Sequence, residues 1–149
     1  CTIVISPLIA LMQDQVDALK KKNISAAFIN STLSKQEREK RLNNFVDGKI
    51  KLLYVTPERF RKPDFVEQIK KVTLDLLAVD EAHCISEWGH DFRPEYRQLD
   101  VLPQQFAGVP RMALTATADA ITRQDIAERL HLQAAPQFIS SFDRPNIRY

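Results

Sequence analysis

Short runs of β-branched and aliphatic residues alternate along this chain with longer amphipathic stretches, and that alternation constrains the fold more than any other feature. Residues 2–6 read as a buried strand halted by Pro7. From Leu8 to Lys22 the apolar side chains Leu8, Ile9, Leu11, Met12, Val16 and Leu19 fall on one helical face. Residues 26–29 form a second strand. Ser34-Lys35-Gln36-Glu37 is a capping box, opening a helix that should end near Gly48. Residues 51–55 form a third strand, ended by Thr56-Pro57, and residues 64–71 read as helix. Residues 74–79 are a fourth strand that runs into Asp80, and 111–114 a fifth. Asp119 is placed to cap a helix that turns Ile121, Ile126, Ala127 and Leu130 inward, with a last short strand expected at 137–139. Strands separated by helices need right-handed crossovers, so the expected class is α/β with a mostly parallel sheet. Function in such sheets collects at the carboxyl ends of strands. Three ends carry suitable residues: Ser6-Pro7, Thr56-Pro57 and Asp80-Glu81.

A length of 149 residues accommodates one such domain with a real core, and not two. The chain is 44% hydrophobic and 27% charged, an ordinary globular balance, and its formal net charge of +2 marks no dedicated nucleic-acid tail. The one block of like charge, Lys20-Lys21-Lys22, suits the negative end of a helix dipole. Cys1 and Cys84 lack CxxC spacing, which argues against a zinc site or a disulfide framework and for a reducing compartment. No apolar run approaches the length of a membrane span. The chain opens in mid-strand without an initiator Met, so it is expected to be part of a longer protein.

The sharpest chemical signal is Leu76-Leu77-Ala78-Val79-Asp80-Glu81-Ala82-His83. An apolar strand that delivers two adjacent carboxylates at its end suits nucleotide hydrolysis. Asp80 can hold Mg²⁺ through its water shell, and Glu81 can orient or deprotonate the attacking water. The bland alternative is an acidic helix start. Immediately afterwards Trp88, Phe92 and Tyr96 alternate with His90 and Arg93. Flat rings can stack on unpaired bases and Arg93 can meet phosphate, although aromatic residues more often pack. Trp88 and Phe92 are expected to be exposed, with Gly89 letting the loop turn; for Tyr96 both readings stay open. Thr115 and Thr117 can offer hydroxyls near His83. Ser6 and Thr56 can bind phosphate or cap helices.

These strings resemble the motifs of a known family. Asp80-Glu81-Ala82-His83 is similar to motif II of the DEAH-containing superfamily-2 helicases, and residues 84–96 to the aromatic-rich loop of the RecQ helicases. Residues 6–16 look like motif Ia, residues 54–59, with Arg59, like motif Ib, and residues 113–118 like motif III. Residues 141–149 resemble the stretch that leads into a second motor domain, so the likeness covers essentially the whole chain.

The resemblance implies a RecA-like P-loop NTPase domain, truncated at its N-terminal side, in a 3′-to-5′ DNA helicase that uses ATP and Mg²⁺ in repair and recombination. Residues 1–140 would be the C-terminal part of motor domain 1, and residues 141–149 the connection onward. Asp80 and Glu81 would be catalytic, and His83, Thr115 and Thr117 would couple the nucleotide and DNA sites. Trp88, His90, Phe92 and Arg93 would sense single-stranded DNA, while Ser6, Thr56 and Arg59 would bind its backbone. Implied partners are single-stranded and partly duplex DNA and the second motor domain in cis, with no membrane. The location would be cytoplasmic in a bacterium and nuclear in a eukaryote.

A Walker A loop needs several glycines followed by Lys and Ser or Thr, and the only glycines are Gly48, Gly89 and Gly108. The resemblance puts that loop upstream of Cys1. Two rival readings are a non-catalytic single-stranded-DNA-binding module and a metal-dependent hydrolase built on Asp80, Glu81, His83 and His90, the latter lacking an HExxH pair.

Overall fold

The structure is a computed structural model, and it describes residues 1–139. Five strands form one sheet: β1 (Thr2–Ile5), β2 (Ala26–Ile29), β3 (Leu52–Val55), β4 (Leu76–Val79) and β5 (Arg111–Ala113). Their order across the sheet is β2-β3-β1-β4-β5, and every pairing is parallel. The helices are α1 (Ile9–Lys21), α2 (Lys35–Val46), α3 (Pro63–Lys70), a one-turn α4 (Leu102–Gln105) and α5 (Ala120–Arg129). Tighter 3₁₀ turns span Pro57–Arg61, Ala82–Ile85 and Pro94–Val101.

The local signals act as the sequence indicates. Ser34 accepts from the Glu37 amide at the start of α2, and Gly48 follows that helix with φ +80°. Asp119 accepts from the Thr122 amide at 2.8 Å and opens α5. Two expectations fail. No strand forms at 137–139, where Phe138 and Ile139 are exposed and no strand among the described residues pairs with them. Ile121 faces solvent, and Thr122 takes the inward position beside Ile126 and Leu130. The connecting segment expected at 141–149 lies outside the described residues.

Strand alternation divides the core. Ile3, Ile5, Leu53, Val55, Leu77 and Val79 face the larger layer, with Phe45, Phe60, Phe65, Ile69, Tyr96, Leu99 and Leu102. The opposite face packs Tyr54, Val4, Phe28 and Leu52 against Met12, Val16 and Leu19 of α1. Ile9 and Leu11 of that helix are exposed, so its apolar stripe is narrower than its composition suggests. Among the described residues, no helix is long and apolar enough to cross a membrane.

Register aligns the strand ends that matter. Ile29, Val55, Ile5, Val79 and Ala113 lie side by side across the sheet. The next residue of each strand, Asn30, Thr56, Ser6, Asp80 and Leu114, therefore forms a row along the carboxyl edge.

Candidate nucleotide-coupling site

Asp80 stands at the end of β4, where its amide donates to the Ile5 carbonyl at 2.8 Å. Its carboxylate Oδ1 accepts from the Glu81 amide at 2.9 Å. Oδ2 accepts no hydrogen bond among the described residues. A partly exposed carboxylate with one oxygen uncommitted has the hard donor chemistry that Mg²⁺ takes, so the position fits that ion. From below, the Tyr96 hydroxyl donates to the Asp80 carbonyl at 2.8 Å. Tyr96 is fully buried, so of its two readings packing is the one realised, and burial pushes its hydroxyl well above the ordinary tyrosine range.

Glu81 turns away from Asp80 because its backbone is left-handed, at φ 51° and ψ 42°. A bulky residue adopts that region only when its surroundings impose it, and such residues cluster at functional sites. The constraint comes from both sides: the Asp80 side chain holds the Glu81 amide, and the Ala82 amide donates to the Leu114 carbonyl at 2.9 Å. Glu81 thereby presents Oε2 at 3.5 Å from Nε2 of His83.

His83 is buried in the 3₁₀ turn, and its other ring nitrogen, Nδ1, lies 2.7 Å from the Thr115 hydroxyl. Thr117 bonds elsewhere. Its hydroxyl is 3.5 Å from Nε2 of His90, and the His90 ring stacks on His83 with centroids 5.0 Å apart and planes 11° from parallel. A continuous series of contacts thus joins Glu81, His83, His90 and the end of β5. Asp80, Glu81, His83 and His90 do not converge as a ligand set, which removes the structural basis for the hydrolase rival.

The loop after His83 is folded back tightly. The Arg93 amide donates to the Cys84 carbonyl at 3.0 Å, and the buried Ser86 hydroxyl accepts from the Trp88 amide at 3.1 Å. Gly89 has no positive φ; a Cβ there would sit 3.0 Å from the His83 carbonyl oxygen, so its role is close approach rather than turning. Trp88 is 72% exposed. Phe92 is only partly exposed, because the Arg97 guanidinium lies 5.3 Å over its ring while also pairing with Glu87. Arg93 turns inward toward Asp91, at 3.6 Å. Burial, reinforced by the Asp91 charge, pushes the Cys84 thiol up to about 11.

At the other strand ends the hydroxyls make local bonds. Ser6 and Thr56 are buried: the Ser6 hydroxyl accepts from the Leu8 amide at 3.4 Å, and that of Thr56 donates to Glu58 at 2.6 Å. Arg59 is the cationic group beside Thr56. Its Nε is buried with no hydrogen-bond partner among the described residues, and burial together with the Arg38 charge lowers its pKa against the pull of Glu58. Asn30 escaped the sequence reading. It is fully buried at the end of β2 and takes the Thr32 amide on Oδ1 at 3.0 Å. A polar residue closing an apolar strand in line with Ser6, Thr56 and Asp80 was the available signal.

Residues 1–126 match the family DEAD/DEAH box helicase. Over 99% of its length the chain is 51% identical to the ATP-dependent DNA helicase RecQ of Haemophilus influenzae and 49% identical to that of Bacillus subtilis. The same share of the chain is 42% identical to the ATP-dependent helicase SGS1 of Saccharomyces cerevisiae. The chain spans 24%, 25% and 11% of those three proteins. Among solved structures, the Hef helicase domain of Pyrococcus furiosus superposes with a TM-score of 0.57 at 12% identity, over 89% of this chain and 28% of that one. That likeness shows the fold.

Proposed function

The chain belongs to the DEAD/DEAH box helicase family, and from that premise we propose that it forms part of the first motor domain of a RecQ-type helicase coupling ATP hydrolysis to unwinding of DNA in the 3′-to-5′ direction. The observation that carries this reading is the series of contacts from Glu81 through His83 to His90, because it links a hydrolytic carboxylate to an exposed aromatic loop.

Asp80 would hold Mg²⁺, which when bound supplies positive charge against the phosphate oxygens. Glu81, turned aside by its left-handed backbone, orients water toward the γ-phosphate and accepts its proton. His83 responds to any change at Glu81 through Nε2 and passes it to Thr115 through Nδ1. Its stacked neighbour His90 belongs to the loop that presents Trp88, so a base on that ring is mechanically joined to the hydrolytic side. Arg59 supplies the cationic edge for a phosphate backbone of any sequence. The second motor domain in cis would close over Glu81 and complete the nucleotide site.

Replacing Glu81 by Gln in the full-length protein tests the reading. The amide keeps size and hydrogen bonding but cannot take a proton, so ATP should still bind while turnover falls by about two orders of magnitude or more. Retained turnover with lost nucleotide affinity would show that Glu81 is not the base.

A further inference from the structure

We propose that His83, Cys84 and Asp91 form a site for a thiophilic divalent cation such as Zn²⁺ or Cd²⁺, and that its occupation displaces the Arg93 side chain. One ring nitrogen of His83, the Cys84 sulfur and an Asp91 carboxylate oxygen all lie within 4.8 Å of one another, with the sulfur 4.0 Å from Asp91 Oδ2. Bond lengths of about 2.0–2.3 Å around a tetrahedral ion set donor separations of roughly 3.3–3.8 Å. Closing the set therefore takes a movement of about 1 Å. Asp91, with 47% of its side chain exposed on the loop, has room to close on the sulfur, which lies 4.0 Å away. His83 and Cys84 are buried in the 3₁₀ turn and already fixed.

A second observation points the same way. A cation already sits against this group, and it fits poorly. Arg93 Nε is 3.6 Å from Asp91 Oδ2, an ion pair beyond hydrogen-bond reach, and it donates no hydrogen bond among the described residues. A compact ion bonded to sulfur, nitrogen and oxygen would replace that loose ion pair and take one His83 nitrogen from its present contact, and the sulfur selects soft cations over Mg²⁺. Spacing rules overlook such a set. Adjacent residues rarely ligate together, and here Asp91 reaches them only because the Arg93 amide pins the loop to the Cys84 carbonyl.

Binding draws on geometry alone, whereas its consequence rests on the helicase reading: an ion held by His83 disturbs its contacts with Glu81 and Thr115, and coupling to DNA should be lost. The test is a titration of the full-length protein with Cd²⁺, following the ultraviolet cadmium–thiolate band, in wild type, Cys84→Ala and Asp91→Asn. Wild type should bind one more equivalent than Cys84→Ala, with the affinity at least about tenfold weaker in Asp91→Asn, and excess Mg²⁺ should not compete. Equal stoichiometry and affinity in all three proteins would overturn the site and leave the helicase reading untouched. Should Cys84→Ala fail to fold, unchanged affinity in Asp91→Asn overturns the site by itself. Saturation of the band with undiminished stimulation of ATP hydrolysis by single-stranded DNA would overturn the loss of coupling through His83.

Discussion

His83 Nδ1 and the Thr115 hydroxyl are 2.7 Å apart although 32 positions separate them in the chain, and this bond ties the turn after β4 to the end of β5. The Ala82 amide, bonded to the Leu114 carbonyl, runs beside it. Removing the side-chain bond therefore leaves the sheet edge intact while freeing the imidazole. In the full-length protein, Thr115→Val should keep ATP binding but lower DNA-stimulated turnover by about tenfold, equivalent to roughly 1.4 kcal/mol. The unpaired buried nitrogen should cost no more than about 1–3 kcal/mol of stability. Turnover with and without DNA, alongside urea unfolding, checks both. Unaltered stimulation would show that the bond only supports the fold.

Helix α5 packs on the turn that carries His83, and its start depends on Asp119. The Thr122 amide bond holds the Asp119 carboxyl below its ordinary range. A carboxylate whose folded pKa is depressed contributes stability above its unfolded value, near 4, and loses that contribution as pH falls through the lower folded value. Hydrogen exchange at the Thr122 amide should therefore quicken relative to neighbouring helices below about pH 4. Asp119→Asn, which retains a capping oxygen, should flatten that dependence. A pH response as steep in Asp119→Asn as in wild type would assign it to another group.

Much of this architecture is legible in the amino-acid sequence. Strand positions, the N-cap at Ser34 and the cap at Asp119 depend on short-range chemistry, so the sequence carries them directly, although the Glu37 carboxylate pairs with Arg41 instead of closing a capping box. What stays hidden depends on long-range contact. Nothing local says that Phe92 will be covered by Arg97, that Ser6 and Thr56 will be buried, or that Thr117 will meet His90 rather than His83. The left-handed Glu81 is equally unreadable, because neighbouring strands impose it. Ile121 misleads because an apolar residue beside a cap satisfies helical periodicity on either face.

Gly89 offers a test in which conformation and space separate. Its φ is not positive, so alanine meets no backbone penalty there, but the added Cβ would press on the His83 carbonyl oxygen at 3.0 Å. The loop must move by a few tenths of an ångström, which disturbs the His83–His90 stack without touching either ring. Gly89→Ala should reduce stimulation by DNA while basal hydrolysis and nucleotide binding persist. Loss of basal hydrolysis to the same extent would place the strain in the carboxylate pair.

The loop itself separates sensing from packing, since its residues differ in exposure. Trp88 is 72% exposed, so Trp88→Ala should leave the melting temperature within about 1 °C. Phe92 lies under Arg97 and Arg93 turns inward, so their alanine variants should be measurably less stable. A stacked base is worth roughly 1–3 kcal/mol, so Trp88→Ala should weaken single-stranded DNA binding by up to about a hundredfold if that ring is the platform. The same change should abolish most of the stimulation of ATP hydrolysis. Rates with and without single-stranded DNA, compared with melting temperatures for all three variants, give the answer. Normal stimulation in Trp88→Ala, or losses in Phe92→Ala and Arg93→Ala that merely track their melting temperatures, would reduce the loop to a packing element.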